Sequence, residues 1–252
     1  MSLLRKLRAH ADTALMRWRG CQISSIGGFP VRVHPGDRSF WVDTYFGCWE
    51  EETLAWIRSH VRPGIQFGDI GAWVGPTSIF AAKLGAKVTC FEPDPVAYER
   101  LLFNLRTNVP GRVAPFNLAL GAVDGIRRLA PLAKELGQSG SSLYAPEGKD
   151  ESARVFALSW TSAVRLLDLP AFDVMKIDIE GGEAELLPEM MPWLREHRPH
   201  LLLGIHWSFI PSERRPGLSE ALEQLYELYP LSLRVQPSEI EKGFPSLVFC
   251  RE

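Results

Sequence analysis

Three acidic side chains, Asp69, Glu92 and Asp178, each close a short apolar run, and glycine-bearing turns follow the first and the third. In "FGDIGAWVGPTSIFAAKLG" (67–85) the turn holds Gly71 and Gly75 and leads into an amphipathic segment. In "VTCFEPDP" (88–95) Pro93 keeps Glu92 extended, while Asp94 and Pro95 cap and start a helix. In "FDVMKIDIEGGEAELLP" (172–188) Asp178 ends the run, with Glu180 and Glu183 around Gly181 and Gly182. Carboxylates at strand tips can hold a cation, accept from hydroxyls, or take a proton.

The glycine spacing narrows the ligand. Gly68, Gly71 and Gly75 read G-x-x-G-x-x-x-G, whereas the dinucleotide fingerprint needs G-x-G-x-x-G. Gly75 is followed by Pro76 and Thr77, so no Gly-Lys-Ser/Thr phosphate loop is present. Asp69, just before the turn, would repel a pyrophosphate and attract an ammonium or sulfonium. Glu92, at the next strand tip, is placed to accept from both hydroxyls of a ribose. Together these features point to a cationic, adenosine-containing ligand. A plain strand, turn and helix with exposed acids is the alternative, and acids at a helix start also suit the dipole. That alternative accounts for Glu183 and Glu185 better than for Asp178, which follows its strand directly.

The elements that must position these groups alternate. Strands are expected at 65–70, 87–92, 112–120, 172–178, 201–206, 231–235 and 246–250, and helices at 76–84, 95–107, 162–168, 182–197 and 218–228. Apolar strands alternating with helices mean an α/β fold, a mostly parallel seven-stranded sheet with helices on both faces. The short polar link "QPSEIEKGFP" makes the last two strands an antiparallel edge hairpin. Residues 48–61 read as an acid-started helix, 22–46 as short strands or turns, and 121–153 as an insertion near a sheet end. The organisation is thus an N-terminal helical and irregular segment, 1–60, capping a domain over 61–252.

Composition bounds the function. The chain has 252 residues, 46% hydrophobic and 23% charged, with a net charge of −2, so binding nucleic acid by neutralising phosphates is not expected. The four cysteines are scattered and form no CxxC pair, as in a reduced, cytoplasmic protein. No apolar run reaches membrane-spanning length and no secretion signal is read. Leu4, Leu7, Ala11, Leu15 and Trp18 share a helical stripe flanked by arginines, which suits packing on the domain or peripheral contact with a membrane through 1–20.

"GDIGAWVG", "FEPDPVAYERLLFNL", "NLALG" and "MKIDIEGGEAELLP", in that order, resemble the FkbM-type S-adenosylmethionine-dependent methyltransferases, from about residue 49 onward. The resemblance implies a class I Rossmann-like methyltransferase fold, S-adenosyl-L-methionine as donor, and O-methylation of a small-molecule or glycan hydroxyl, such as a sugar or secondary metabolite. By matching motif, Asp69, Gly71, Ala72, Trp73 and Gly75 would line the methionine part of the donor. Glu92 would hold the ribose, and Asp94 with Asn117, Leu118 and Ala119 would flank the adenine. Trp73 stands where the family often has Asn, so it walls the pocket instead of supplying a polar contact.

A sugar hydroxyl is a weak nucleophile and gains from a base within reach. Asp178 and His206, at the ends of neighbouring strands, are the candidates, and a structural histidine is the plainer reading of His206. Glu180, Glu183, Ser141, Ser142 and Tyr144 are candidate acceptor contacts, the last three on "LGQSGSSLYAPEG" (136–148), read as a lid over the cleft. An alternative puts Mg2+ on Asp178, Glu180 and Glu183. N-methylation and a non-catalytic adenosyl-binding module are the other functional readings. A nicotinamide-dependent dehydrogenase is disfavoured by the glycine spacing.

Overall fold

Runs of alternating glycine, proline and apolar residues set where each strand stops and each helix starts. The structure, a computed structural model, describes residues 20–132, 135–145, 151–235, 237–240 and 245–251. The basic stripe expected within 1–20 falls outside them except for Gly20. The described residues open with a hairpin, β1 (Gln22–Ile26) and β2 (Phe29–Val33), closed by Gly27 and Gly28. Helices α1 (Arg38–Tyr45) and α2 (Glu51–His60) follow. The hairpin fits the short strands expected over 22–46, whereas α1 does not, since its aromatic-rich sequence has weak helical periodicity.

The alternating region then begins. Strand β3 (Gln66–Ile70) leads to helix α3 (Pro76–Lys83), and β4 (Lys87–Phe91) to α4 (Pro95–Asn108). Next come β5 (Val113–Phe116) and β6 (Ala119–Gly121), then β7 (Gly125–Pro131), β8 (Ser141–Ser142) and β9 (Ala153–Ser159). Helix α5 (Trp160–Leu166), β10 (Val174–Ile177), α6 (Glu183–His197), β11 (His200–Gly204), α7 (Arg215–Leu228) and β12 (Ser246–Phe249) complete it.

The main sheet has the order β12-β11-β10-β3-β4-β5, parallel throughout except for β12, which runs antiparallel to β11. Helices cover both faces. Ile57, Phe80 and Leu101 pack on one side, and Leu186, Met190, Leu222 and Leu225 on the other. A mostly parallel α/β sheet is the expected class, but among the described residues the main sheet has six strands rather than seven. Residues 231–235 form no strand: Leu231 and Leu233 are 78% and 86% exposed, and the Val235 N–H donates to the Tyr226 hydroxyl at 3.1 Å instead of to a ladder. The expected edge hairpin is therefore a single edge strand, β12, among the described residues.

The strand expected over 112–120 breaks in two. The Asn117 amide donates to the Glu92 and Pro93 carbonyls at 2.8 and 3.2 Å, and the chain leaves the main sheet there. Strand β6 joins a second, four-stranded sheet of order β6-β9-β7-β8, so the insertion is a small structured layer beside the strand tips. Cys21, Cys48, Cys90 and Cys250 all carry thiols, in keeping with the scattered spacing. Among the described residues no helix is long and apolar enough to cross a membrane.

Two amides fasten the N-terminal hairpin to this frame. Asn104 and Asn108 lie one turn apart on α4. Asn104 accepts from the His34 N–H at 2.7 Å and donates to the Val74 carbonyl at 2.8 Å. Asn108 accepts from Arg32 N–H at 2.8 Å and donates to its carbonyl at 2.6 Å. Asn104 is fully buried. Asn104→Ala leaves a buried donor and a buried acceptor unmet, so urea unfolding should show a loss of about 1–3 kcal/mol. An unchanged midpoint would show that the amide does not hold the hairpin.

Candidate functional site

The carboxyl ends of β3, β4 and β10 open on a cavity of about 500 Å3, within the roughly 300–1,000 Å3 usual for small-molecule sites. Its walls carry the carboxylates of Asp43, Glu50, Glu92, Asp94, Asp178 and Glu180, against the cations Lys176 and His206. Such an excess of acid favours a cationic ligand.

The turn after β3 forms one wall. Gly71 has φ of +87°, and a Cβ there would lie 1.9 Å from the Asp178 backbone oxygen, so the tips of β3 and β10 can approach only with glycine at this place. Gly71 and Ala72 both donate N–H to the Phe91 carbonyl at 3.0 Å. Trp73 takes φ of +48°, a left-handed conformation that suits Asn better than Trp and costs roughly 1–3 kcal/mol. It is held by its indole N–H to the Gly137 carbonyl at 3.0 Å and by edge contact with Phe40 at 4.4 Å. Trp73 does wall the cavity.

Glu92 stands at the adjacent tip. Its Oε2 accepts from Trp73 N–H at 2.7 Å and its Oε1 from Asp94 N–H at 2.8 Å. Burial outweighs these donors and pushes its carboxyl up to about 8. Leu118 and Ala119 line the same region. Asp94 also lines the cavity, but its oxygens are engaged: Oδ1 caps α4 through Val96 and Ala97 N–H, and Oδ2 accepts from Gly137 N–H and the Ser141 hydroxyl, both at 2.7 Å.

Several expected contacts lie behind the wall rather than on it. Asp69 is fully buried, and its Oδ2 accepts from the hydroxyls of Thr77 and Ser78, both at 2.6 Å, which anchors the start of α3. It is not among the residues that line the cavity, and its Oδ1 is buried without a hydrogen-bond partner among the described residues. Gly75 serves packing, since a Cβ there would meet Leu101 at 2.5 Å. Asn117 clamps the backbone around Glu92 and does not reach the cavity. Ser142 donates to the Glu180 carbonyl at 2.6 Å, and Tyr144 sits beside Arg127 and Glu185, so neither lines the cleft. Gln138, Ser139, Gly140 and Ser141 do line it. This part of the insertion forms a wall of the cavity, tied through Asp94 and Trp73. The rest of the expected lid, 146–148, falls outside the described residues.

The opposite wall centres on His206. Its Nδ1 pairs with Glu183 Oε1 at 2.9 Å, and its Nε2 lies 3.4 Å from Asp178 Oδ1 and 3.5 Å from Glu180 Oε2. Glu183 is fully buried and also accepts from the N–H groups of Ile179 at 3.0 Å and Gly181 at 2.8 Å. It is therefore the orienting group of His206, not an acceptor contact. Burial works against charge on His206, but the Glu183 hydrogen bond and the acids around it raise it to about 9. Burial likewise raises Glu180. Asp178, despite burial, is held below the usual carboxylate range by Lys176 and His206.

Lys176 and Glu50 are functional neighbours that the sequence reading missed. The Lys176 ammonium donates to Asp178 Oδ2 at 2.8 Å and, in register beside Asp69, forms the cavity floor. Burial opposes its charge, but Asp178, Asp69 and Glu50 together raise it above the ordinary lysine value. A lone charge inside an apolar strand, two residues before Asp178 and so on the same face, was the available signal.

A divalent ion finds a different set from the one expected. Asp178, Glu180 and His206 bring ligand atoms within 4.8 Å of one another, whereas Glu183 has its oxygens engaged by backbone donors and His206.

Comparison with known proteins follows the same lines. A family described as the methyltransferase FkbM domain matches residues 67–230. The hexuronic acid methyltransferase AglP of Haloferax volcanii is 29% identical over 231 residues, 88% of this chain and 90% of its own length. Among solved structures, a methyltransferase FkbM from Methylobacillus flagellatus KT gives a TM-score of 0.48 at 17% identity, covering 78% of this chain. The chain spans 50% of the length of that structure. Aeropyrum pernix fibrillarin, solved with natively bound S-adenosyl-L-methionine, gives 0.48 at 12% identity over 91% of this chain and 82% of its own.

A proton titration tests the His206 environment. His206 should titrate near 9 by NMR, and Glu183→Gln should lower that midpoint toward the ordinary value of about 6.5. Because the folded value is the higher one, the stability from this cluster is complete below about pH 6.5 and is lost as pH rises through about 9. A wild-type midpoint near 6.5 would contradict the assigned geometry.

Proposed function

The chain belongs to the FkbM methyltransferase family and is an S-adenosylmethionine-dependent methyltransferase, and from that premise we propose that it methylates a hydroxyl of a sugar or sugar-like small molecule. The observation that carries this reading is the acid-lined cavity at the strand tips, where Glu92 adjoins the glycine turn and His206 faces two carboxylates.

Gly71, Ala72 and Trp73 line the methionine part of the donor, and the surrounding carboxylates favour its positive charge. Glu92 accepts from the ribose hydroxyls, while Leu118 and Ala119 flank the adenine, with Asp94 holding that wall in place. Bound here, the donor supplies a methyl group on a sulfonium, ready for in-line displacement.

The acceptor lies between Ser141, Glu180, Asp178 and His206. Glu183 keeps a proton on His206 Nδ1 and so directs Nε2 into the cavity. When neutral, Nε2 takes the hydroxyl proton as the oxygen attacks, and the imidazolium formed is stabilised by Glu183, Glu180 and Asp178. Asp178, kept ionised by Lys176, orients the acceptor and His206. The Haloferax relative, named for a hexuronic acid, supports a sugar acceptor that offers oxygen rather than an amine. The divalent-ion reading retains Asp178, Glu180 and His206 as ligands, but Lys176 beside Asp178 opposes a second cation there. Mg2+ added to chelator-treated enzyme should therefore leave turnover unchanged; a clear rise would favour the metal.

Donor binding and proton transfer can be tested separately. S-adenosylhomocysteine should raise the melting temperature by mass action on the folded state. Measured above about pH 8, where the Glu92 carboxyl is ionised, Glu92→Gln should weaken its affinity about tenfold to a hundredfold, the loss of hydrogen bonds to a charged acceptor. An undiminished shift would remove the ribose role from Glu92.

The pH profile tests the base. With His206 at about 9 in the unliganded protein, kcat/KM should climb about tenfold per pH unit up to that value and then level. His206→Gln should remove this limb along with most of the turnover, and Asp178→Asn should cut turnover while leaving donor binding largely intact. A profile already flat from neutral pH would mean that His206 is not the base.

A further inference from the structure

At the opposite end of the main sheet from the cleft, three side chains with metal-ligand chemistry converge. His60 ends α2, His200 begins β11, and Cys250 follows β12, next to His200 because β11 and β12 are antiparallel with Leu201 opposite Phe249. Their ligand atoms all lie within 4.8 Å of one another. Cys250 Sγ is 3.4 Å from His60 Nε2, and the His60 and His200 rings have centroids 4.6 Å apart.

The hydrogen bonds define which nitrogen is available. His60 Nδ1 lies 2.9 Å from the Trp56 carbonyl and 2.8 Å from the Ser59 hydroxyl, which itself donates to that carbonyl at 2.8 Å; with the Ser59 proton directed there, Nδ1 carries a proton and donates. Nε2 is then the unprotonated nitrogen, and it faces the thiol. Metal-bound histidines are commonly oriented by just such a bond from the other ring nitrogen to a carbonyl. His200 Nδ1 is buried with no hydrogen-bond partner among the described residues. Its nearby cation, Arg251, pairs with Asp173 at 3.6 Å.

We propose that His60, His200 and Cys250 form a zinc site, distinct from the methyl-transfer cleft, that ties α2 to the edge of the sheet. Sulfur and imidazole donors select zinc over magnesium or calcium. Tetrahedral zinc with nitrogen at about 2.0–2.1 Å and sulfur at about 2.3 Å places these two donors roughly 3.6 Å apart, close to the separation seen. On binding, Cys250 releases its thiol proton to solvent and coordinates as thiolate. Three protein donors leave the fourth position to water.

The test uses the full, reduced chain and cobalt as the probe. One equivalent of Co2+ should produce a thiolate-to-metal charge-transfer absorption, zinc should displace it, and zinc should raise the melting temperature. Cys250→Ser should abolish the absorption, and His60→Gln or His200→Gln should weaken zinc binding at least tenfold, the scale expected for a lost ligand or its orienting contact. Asp178→Asn should leave the absorption intact, separating this site from the acids of the cleft. Each variant should still respond to S-adenosylhomocysteine, which shows that it folds. No charge-transfer absorption in the wild type, or one that persists in Cys250→Ser, would overturn the proposal.

Discussion

A lysine ammonium buried in the central strand governs how the cleft is built. Lys176 is 6% exposed, and a charge so placed persists only with counter-charges and hydrogen bonds around it. Its neighbours supply them: Asp178 two residues on, Asp69 in register on β3, and Glu50 from the N-terminal segment. Asp69, fully buried, would be costly to hold there alone, and burial raises it. The cluster thus binds three parts of the chain together at the cavity floor. It also divides the acids by role. Asp69 turns back to fix the start of α3, while Asp178 turns outward to His206.

From that floor the side walls are set by hydrogen bonds that leave little freedom. Asp94 joins the start of α4 to the small sheet, and Trp73 holds the same loop through Gly137. Across the cavity, Glu183 organises the turn after Asp178 and orients His206. Positions fixed before a ligand arrives need not be ordered when it binds, and that is the main contribution a protein can make to a displacement on an already activated carbon. The three left-handed non-glycine residues at the site, Glu50, Trp73 and Glu180, are places where this order is held against local preference.

Much of this was legible in the sequence. The parallel sheet followed from apolar runs alternating with helices, and the cleft from acids and glycines at the ends of those runs. Glu92, Asp178, Glu180 and His206 do meet in one cavity. What was less legible is where a polar side chain spends its hydrogen bonds. Asp69, Asn117, Glu183 and Ser142 have the right types and spacing for ligand contact, yet each is taken up by the protein's own donors or acceptors. Spacing along a chain does not reveal those partners, several of which are distant in sequence, such as Glu92 for Asn117, His206 for Glu183 and Glu180 for Ser142. Lys176 was overlooked for the converse reason: its apolar neighbours suggested a plain buried strand. Glu50 could not be placed because only the folded N-terminal segment brings it to the cavity. The 231–235 segment has strand-like alternation, but Tyr226 captures its backbone and its leucines remain exposed.

The role of Lys176 can be read most directly from unfolding free energies of wild type and Lys176→Met as a function of pH. Methionine has nearly the same length and no charge, so the variant leaves the buried Asp69 and the half-buried Asp178 without their cation. Breaking a buried pair in this way costs about 3–5 kcal/mol, and that gap should be present at neutral pH. Asp178 is held below its ordinary value by the lysine, so its share of stability is present above the unfolded value near 3.8 and is lost as pH falls through the lower folded value. The gap between the two proteins should accordingly narrow on acidification, as the orphaned acids of the variant take up protons. A gap that is absent at neutral pH, or one that stays constant down to the acid limit of folding, would contradict a cleft organised by this buried charge.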